Sequence, residues 1–428
     1  MSAPDFARLP GFRDFVPEDL AVRSHLFETW RRVSRAYGFR EYDGPPLEPL
    51  DLYVAKSGEE IVSQLYNFTD KGDREVSMRP EMTPSLARIL GERSRSMPKP
   101  IRWFAVPQLF RYERQQRGRL REHFQWNVDI VGEEDEAADA EVLAVALDAL
   151  RAFGLSADDI RARVSDRRLL AALLGELGVT EDDLGGTYAV IDKVEREPGE
   201  RSRERLIDDV GLPAEVADRV LVLFEDPSLE RIRSEFGDVE EIAPHLERMG
   251  RYLGTLAGMD LEDFVEFDLT IVRGLAYYTG IVFEIFDRAG ELRAICGGGR
   301  YDRLLELVGG EPLPAVGFGM GDVVLGELLA EKELLPDTAH VSDFFIVTIG
   351  DETRETALEL ASRLRHGGWS VTYALRDSSV RKQFKAAENE GAAQVIVLGP
   401  NELEKGVGVV RDMRSGEETE VPLDDIGR

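Results

Sequence analysis

The spacing of hydrophobic and polar positions predicts helices and paired strands in the first third of the chain. Apolar positions recur with helical spacing over residues 21–37, and a second helix is predicted over 84–92. Residues 101–110 and 125–131 have strand-like patterns and flank an arginine-rich segment, which is typical of a hairpin loop between antiparallel strands. Acidic residues then open an apolar helix that ends near residue 153, as the helix dipole favours.

A long helical region interrupts the strand pattern in the middle of the chain. Residues 165–260 form charged, Leu-rich segments with poor strand potential, and they contain no recognisable chemistry. Strand patterns return at 264–270 and 281–287. We therefore expect a helical insertion within a mixed sheet domain that spans residues 1–335.

The pattern starts again after Leu335 and predicts a second domain over residues 341–428. Strands and helices alternate there: strand 343–349, helix 353–366, strand 370–375, helix 379–390 and strand 394–398. This β-α-β-α-β order indicates a compact α/β module with a mostly parallel sheet.

Composition indicates a globular protein without a membrane segment. The hydrophobic fraction is 43% and the charged fraction is 32%, and the longest apolar runs, such as 346–349 and 395–398, are too short to cross a bilayer. Because the first residues also lack an apolar signal core, we expect a cytoplasmic protein with no membrane partner. Cys296 is the only cysteine and the five histidines are scattered, so no disulfide framework or Cys/His zinc cluster is expected.

The net charge of −29 argues at first sight against a nucleic-acid partner, because phosphate binding depends on Lys and Arg. Five arginines nevertheless lie within the eleven residues 111–121, which is a strong local reversal of charge. The overall acidity is interpreted as a solvated, repulsive surface that keeps the chain soluble, and no partner is inferred from it.

The first segment with candidate chemistry is RYERQQRGRLREHFQWNVD, which begins at Arg111. Alternate residues of a strand share one face, so Arg111 and Glu113 are expected to project together. On the returning strand, Gln125, Asn127 and Asp129 share a face by the same rule. Such a surface suits a ligand that carries phosphate and amino groups. Surface ion pairs across a hairpin are the alternative.

Two shorter segments add candidate ligand-binding side chains. In MRPEMT the proline opens the following helix and leaves Glu81 and Thr83 near its first turn. A simple helix start with a stabilising carboxylate is the alternative. The segment VRGLAYYTG combines Arg273 with Tyr277 and Tyr278, which face opposite ways on a strand, so at least one tyrosine needs a polar partner.

The fourth segment, CGGGRYD, places three successive glycines before Arg300. It lacks the Lys-Ser/Thr of a P-loop, and it lacks the spacing and strand context of a Rossmann fingerprint. The glycines therefore indicate a close approach of the backbone to a ligand or to a packed strand.

These four segments, in this order and spacing, resemble the histidyl-tRNA synthetase family of class II aminoacyl-tRNA synthetases. RYERQQRGR is similar to the second class II motif, RGLAYYTG and GGGRYD are similar to the two histidine signatures, and the resemblance extends from Gly11 through the last module. It implies an α+β catalytic domain, in which helices flank an antiparallel sheet, with the helical insertion and a C-terminal α/β anticodon-binding domain. It also implies a ligase that activates L-histidine with ATP and Mg²⁺ and esterifies it to tRNA(His). A C2 homodimer is expected, with the segment from Gly38 to Pro46 at its interface.

The resemblance also implies roles for the residues at matching positions. Arg111 and Arg273 are the two catalytic cations on the ATP α-phosphate, Glu113 binds the adenine, and Arg119 is a further ATP-binding residue. The histidine-binding residues are Glu81, Thr83 and Gln125 on the amino group, Asp129, Tyr277 and Tyr278 around the imidazole, and Arg273. No metal-binding cluster of side chains is implied, since Mg²⁺ would arrive with ATP.

For tRNA, the resemblance implies contacts of the acceptor end with Arg114 and Gln116, and contacts of the anticodon with one helix start in the last module. The candidate residues there are Arg381, Lys382, Gln383 and Lys385, a basic patch in an acidic chain. Basic groups of this kind suit a single-stranded loop whose bases are splayed. A solvated helix face is the alternative for this patch.

The sequence departs from the family pattern at two positions that bear on the site. Asp129 stands where many members have Glu, so the side chain that carries this carboxylate into the pocket is one methylene shorter. In the third motif, GFGMGDVVLGELL, the arginine that class II enzymes generally set against the ATP γ-phosphate falls at Val324. Losing such a charge-assisted contact is costly unless another cation replaces it, and the candidates from the sequence are Arg300 and Arg119.

Three alternative functions differ in what they require. A non-catalytic regulatory subunit of ATP phosphoribosyltransferase would need neither the histidine signatures nor the anticodon module. A bare tRNA-binding protein would not need the set of glutamate, tyrosine and arginine. A ligase for another amino acid would not need adjacent Tyr277 and Tyr278 in this context. Ligation of histidine is therefore the function that the sequence predicts.

Overall fold

The computed structural model describes residues 6–114, 116–194, 197–272, 278–290, 292–307, 309–336 and 342–428. Contacts between residues divide the chain into two compact units. The larger unit comprises residues up to 14 and residues 23–335, and the smaller unit comprises residues 15–22 and 336–428.

Helices and strands alternate irregularly over the described residues up to 336. The helices are α1 (Pro17–Ala36), α2 (Leu50–Ser57), α3 (Thr83–Arg93), α4 (Glu136–Ala152), α5 (Arg167–Glu176), α6 (Leu184–Ile191), α7 (Gly199–Asp208), α8 (Ala214–Leu223), α9 (Leu229–Phe236), α10 (Ala243–Ala257), α11 (Leu304–Leu307) and α12 (Asp322–Glu331). The strands are β1 (Arg40–Glu41), β2 (Leu47–Pro49), β3 (Asn67–Thr69), β4 (Glu75–Met78), β5 (Ile101–Ala105), β6 (Gln108–Phe110), β7 (Glu122–Val131), β8 (Ile160–Asp166), β9 (Val265–Phe267), β10 (Ile281–Asp287), β11 (Cys296–Arg300) and β12 (Ala315–Gly321).

One large sheet organises the larger unit. Its strand order is β1-β5-β7-β12-β11-β10-β8-β9, and β6 pairs with the first residues of β7. All neighbours in the interior are antiparallel, as the sequence predicts, whereas β1 with β5 and β8 with β9 are parallel pairs at the two edges. The strand predicted over 101–110 is divided into β5 and β6, because Pro107 between them has no backbone N–H to donate to a ladder. Strands β2, β4 and β3 form a separate small antiparallel sheet.

The two faces of the large sheet differ because side chains alternate along β7. Trp126, Val128 and Ile130 are buried in the main core with the apolar face of α4. Trp126 stacks on Trp30 of α1, with ring centroids 5.9 Å apart, and its indole N–H donates to Ser34 Oγ at 3.0 Å. The residues between them on β7 therefore face the opposite side of the sheet, which α3 covers around Val131 and which is open around the polar residues Gln125, Asn127 and Asp129.

The helical region lies where the sequence predicts it, between β8 and β9. Helices α5 to α9 surround an apolar cluster of their own, which includes Leu170, Leu206 and Val220. Helix α10 returns to the main core, where Met249 and Tyr252 are fully buried. The region is thus a compact helical insertion between two adjacent strands of the sheet.

The smaller unit contains the predicted β-α-β-α-β alternation. Its helices are α13 (Arg354–His366), α14 (Val380–Asn389) and α15 (Pro400–Lys405), and its strands are β13 (Phe344–Thr348), β14 (Val371–Tyr373), β15 (Gln394–Leu398), β16 (Val407–Asp412) and β17 (Glu418–Pro422). The strand order is β14-β13-β15-β16-β17. The first three strands are parallel, whereas β16 and β17 add an antiparallel hairpin that the sequence pattern did not predict.

Within the described parts of the chain, we find no helix that is both long and apolar enough to span a membrane.

Candidate active site

A cavity of about 680 Å³ lies on the open face of the large sheet. The predicted histidine-binding and ATP-binding residues that line it are Glu81, Thr83, Arg111, Glu113, Arg119, Gln125, Asp129 and Tyr278. They come from chain segments that are up to 197 positions apart, between Glu81 and Tyr278. Arg273 and Tyr277, which were predicted to join them, lie outside the described residues.

Glycines on β12 make room for the polar side chains of β7. Gly317 pairs with Asp129 in the antiparallel ladder, and Gly319 pairs with Asn127, two residues from Gln125 on the same face of β7. A Cβ atom at Gly319 would lie 2.7 Å from Gln125 Nε2, and one at Gly317 would overlap the Asp129 carboxylate. The two polar side chains can therefore lie flat across the sheet only because their cross-strand neighbours have no side chain.

Two tyrosines lie near the Asp129 carboxylate, and neither was assigned a role from the sequence. The phenol of Tyr301, the residue after β11, donates a hydrogen bond to Asp129 Oδ1. Burial, followed by the negative charge of Asp129, raises the pKa of Tyr42 well above its ordinary value. Asp129 is only 6% exposed, so the cavity contains a buried carboxylate that accepts a hydrogen bond from the Tyr301 phenol. The CGGGRYD segment contains Tyr301, but nothing in the local pattern pairs it with Asp129.

Arg111 and Glu113 line the cavity together, although the prediction that they lie on a strand is wrong. Strand β6 ends at Phe110, because its ladder with β7 ends at Glu122. Arg111 Nε donates to the carbonyl oxygen of Pro80 at 3.0 Å, which fixes the direction of the guanidinium. Glu113 Oε2 lies 2.7 Å from Arg119 Nε in an ion pair.

His123 also lines the cavity and is electrically neutral at pH 7. Burial, followed by the positive charges of Arg111, Arg13 and Arg119, lowers its pKa to about 3. A histidine at pH 7 with this pKa carries no charge, so it cannot help to bind phosphate as a cation. No pattern in the sequence separates this histidine from the other four.

The sequence offered Arg300 as one of two candidates to replace the arginine that is absent at position 324. That prediction is wrong. Its guanidinium is 4% exposed and makes hydrogen bonds from Nε to both carboxylate oxygens of Asp139, at 3.1 and 3.0 Å. Nη1 donates to the carbonyl oxygen of Glu133 at 2.9 Å. Arg300 therefore ties β11 to the start of α4 in the interior, and it does not line the cavity. Arg119, the other candidate, does line it.

The predicted tRNA residues of the arginine-rich loop are exposed to solvent. Arg114 and Gln116 do not line the cavity, and Gln116 Oε1 accepts a hydrogen bond from Arg293 Nη2 at 2.8 Å. They lie on the loop that connects the residues around Glu113 with β7. Their position is compatible with a contact to a large ligand that approaches from solvent.

The basic patch on α14 contains one residue that cannot contact tRNA. Arg381, Lys382 and Lys385 are exposed, and Lys385 Nζ pairs with Glu388 at 3.0 Å. Gln383 is 3% exposed, and its amide donates to the carbonyl oxygens of Thr348 and Ser378 and accepts from the Thr348 N–H. Gln383 therefore fastens α14 to β13, and its prediction as an anticodon contact is wrong.

No group of three or more His, Cys, Asp and Glu side chains suited to a metal ion occurs among the residues that the structure describes. Carboxylates do line the cavity, among them Glu113, which follows β6, and Glu284 on β10. Mg²⁺ commonly binds through one or two carboxylates and substrate phosphates, and such a donor set fits this cavity.

Known proteins resemble the chain over almost its whole length. The sequence model of the histidyl-tRNA synthetase family matches residues 11–321, and that of the anticodon binding domain matches residues 343–427. The histidine–tRNA ligase of Opitutus terrae is 43% identical over 424 residues, which are 98% of this chain and 97% of that protein. The histidine–tRNA ligase of Natronomonas pharaonis is 41% identical over 418 residues, which are 97% of this chain and 95% of the relative.

The fold agrees with a solved structure of the same family. A crystal structure of histidyl-tRNA synthetase from Nostoc sp. PCC 7120 superposes with a TM-score of 0.85 at 24% sequence identity, and the match covers 98% of each chain. The predicted fold class, a sheet-based α+β domain followed by an anticodon-binding domain, is therefore confirmed. Because one family model spans most of the chain and relatives align over nearly its full length, this chain belongs to the histidyl-tRNA synthetase family.

Proposed function

We propose that this chain is a histidine–tRNA ligase, which converts ATP, L-histidine and tRNA(His) into histidyl-tRNA(His), AMP and diphosphate through a histidyl-adenylate. The observation that carries the proposal is the cavity on the large sheet, where a buried carboxylate and several arginines converge. It lies in a chain that is 43% identical to a histidine–tRNA ligase over 98% of its length. The regulatory-subunit alternative is not favoured, since the curated relatives are named as ligases.

Activation of histidine needs positive charge more than it needs a general base. The carboxylate of histidine is already ionised at pH 7 and attacks the α-phosphorus of ATP, so negative charge gathers on the phosphoryl oxygens. Arg111, oriented by its hydrogen bond to Pro80, is placed to stabilise that charge, and Arg273 is the proposed second cation. Mg²⁺ bound with ATP would be held by the phosphates and by Glu284, and it would neutralise further phosphate charge.

Recognition of histidine is assigned to the polar face of β7 and the start of α3. Glu81, Thr83 and Gln125 are proposed to bind the amino group, since all three line the cavity. Asp129 is proposed to accept a hydrogen bond from the imidazole, with Tyr277 and Tyr278 completing the pocket. A pocket that hydrogen-bonds the ring nitrogens rejects other amino acids, because its own buried polar groups would then remain unpaired.

Charging of tRNA tests the proposal as a whole. The purified chain is expected to attach labelled histidine to tRNA(His) in a reaction that depends on ATP. In that step a terminal ribose hydroxyl of the tRNA attacks the activated carbonyl, while Arg114 and Gln116 are proposed to hold the acceptor end. A folded chain that binds histidine and leaves the tRNA uncharged would instead support the regulatory alternative.

Arg381, Lys382 and Lys385 are proposed to contact the anticodon loop of the tRNA. The double variant Arg381→Ala/Lys382→Ala is expected to lower kcat/KM for tRNA roughly tenfold and to reduce the salt slope of tRNA binding by about 0.7 per lost contact. Pyrophosphate exchange, which needs no tRNA, is expected to stay unchanged. The matched control is Lys405→Ala, because Lys405 is an exposed lysine of the same unit that pairs with Glu420 at 3.0 Å. Equal charging by both variants would contradict the assignment of the patch.

The remaining expectations concern assembly and location. We propose a class II catalytic domain over residues 1–335, an anticodon-binding domain over 341–428, and a cytoplasmic homodimer. Strand β1, within the proposed interface segment, is an edge of the large sheet, and Leu47 nearby is a 40% exposed apolar residue. Sedimentation equilibrium is expected to give twice the chain mass of 47.9 kDa, and a monomer at micromolar concentration would contradict the dimer.

A further inference from the structure

The cavity offers few cations for the β- and γ-phosphates of ATP. Among the described residues that line it, the arginines are Arg111, Arg119 and Arg293. Arg111 is proposed to contact the α-phosphate, and Arg119 is already paired with the Glu113 carboxylate. A triphosphate carries several negative charges, and each phosphate in a binding site is usually matched by a charge-assisted donor. Of these three arginines, Arg293 is therefore the one to which no role has yet been assigned.

Arg293 lies in the connection between β10 and β11 and is exposed toward the cavity. Its Nη2 donates to Gln116 Oε1 at 2.8 Å, so a neutral amide holds the guanidinium. In the parts of the chain that the structure describes, no carboxylate lies within ion-pair distance of it. Among the described residues, the positive charge of Arg293 is thus not paired with a carboxylate, unlike that of Arg119.

Arg293 also lies beside the position where the cation is missing. A Cβ atom built on Gly118 would lie 3.2 Å from Val324 Cγ2 and 3.8 Å from Arg293 Cδ. Both side chains therefore come within 4 Å of one point at the tip of the arginine-rich loop. Val324, in the first turn of α12, and Arg293 also line the same cavity. The Arg293 side chain can therefore bring its guanidinium to the region that the guanidinium of an arginine at position 324 would occupy.

We propose that Arg293 binds the terminal phosphates of ATP and replaces the arginine that is absent at position 324. This inference rests on the proposed function, since it assumes that ATP occupies the cavity. The aliphatic part of Arg293 packs near Gly118 and Val324, while its guanidinium exchanges part of its contact with Gln116 for phosphate oxygens. Arginine suits this task because its planar fork donates two hydrogen bonds to one phosphate.

The test compares ligands that contain or lack the terminal phosphates. In Arg293→Ala, the KM for ATP in histidine-dependent pyrophosphate exchange is expected to rise roughly 10- to 100-fold, as the loss of a charge-assisted contact implies. The KM for histidine is expected to change less than about twofold, since the hydrogen bond of Arg293 among the described residues goes to Gln116, which is not a proposed histidine-binding residue. Affinity for a histidyl-adenylate sulfamoyl analogue, which has no β- or γ-phosphate, is expected to stay at the wild-type value. If Arg293 had a merely structural role, its replacement would lower the affinities for ATP and for the analogue together.

Two further variants separate charge from folding. Arg288→Ala is the matched control, because Arg288 is an exposed arginine in the same connection that does not line the cavity. Arg293→Lys keeps the charge and is expected to retain a KM for ATP between those of the wild type and Arg293→Ala.

The outcomes distinguish this inference from the proposed function. Unchanged ATP affinity in Arg293→Ala, with an active wild type, would overturn the role of Arg293 alone. An equal loss of affinity for ATP and for the analogue would also overturn the role of Arg293. No exchange by the wild type would count against the proposed function, and calorimetric titration of ATP into the wild type and Arg293→Ala would still decide whether Arg293 binds the phosphates.

Discussion

Replacement of Arg111 by alanine is expected to lower kcat/KM for histidine-dependent pyrophosphate exchange by about 10²- to 10³-fold, the usual effect of removing one preorganised donor. Arg111 lines the cavity, and its Nε is fixed 3.0 Å from the carbonyl oxygen of Pro80. The remaining N–H groups can therefore face the phosphate without reorientation in the transition state. Arg111→Lys is expected to recover little, because an ammonium cannot both bond Pro80 and fork onto a phosphate.

The control for this prediction is Arg117→Ala. Arg117 belongs to the same arginine-rich segment, but it is exposed, pairs with Glu327 and Glu331, and does not line the cavity. Exchange by Arg117→Ala is expected to remain within about twofold of wild type, since exposed ion pairs contribute little. If Arg111→Ala kept more than a tenth of wild-type exchange, the assignment of Arg111 to the α-phosphate would be contradicted.

Replacement of Arg300 by methionine is expected to lower the free energy of unfolding of the larger unit by about 3–5 kcal/mol, because the substitution leaves a buried carboxylate without its partner. The Asp139 side chain is 2% exposed and the Arg300 side chain 5% exposed, so water cannot replace the lost hydrogen bonds. Urea denaturation followed by tryptophan fluorescence measures the change, since Trp30, Trp103 and Trp126 lie in the larger unit and only Trp369 lies in the smaller one.

Two controls accompany this stability measurement. Arg303→Met, three positions further on and exposed, is expected to change stability by less than about 0.5 kcal/mol. The double variant Arg300→Met/Asp139→Leu is expected to be more stable than Arg300→Met, since it removes the unpaired charge. A stable Arg300→Met with a selectively raised KM for ATP would show that Arg300 contacts the nucleotide after all.

The sequence predicted the features that depend on short-range periodicity. The alternation in β7 was sufficient to place Gln125 and Asp129 on one face, and both line the cavity. Helices α13 and α14 begin and end within one residue of their predicted limits, because their apolar positions are regular, whereas the short helix α15 was not predicted. The hairpin of β16 and β17 was missed, since Glu418 to Glu420 is polar and exposed and gives no clear strand pattern.

The sequence could not reveal the positions of Arg300 and Tyr301, because both depend on long-range pairing. Arg300 is removed from the cavity by Asp139, 161 positions earlier in the chain, and no local pattern reveals that ion pair. Tyr301 is likewise directed to Asp129 across 172 positions. Gln383 differs, because it lies four positions before the buried Ala387 on α14, so helical spacing places it on the inner face.

The most direct test of the central claim is pyrophosphate exchange into ATP by the purified chain with each of the twenty amino acids in turn. We expect exchange with histidine alone, because the buried Asp129 and its tyrosine neighbours require a ligand that donates from a ring nitrogen. Exchange with a different amino acid, or none from a folded chain that binds histidine, would contradict it.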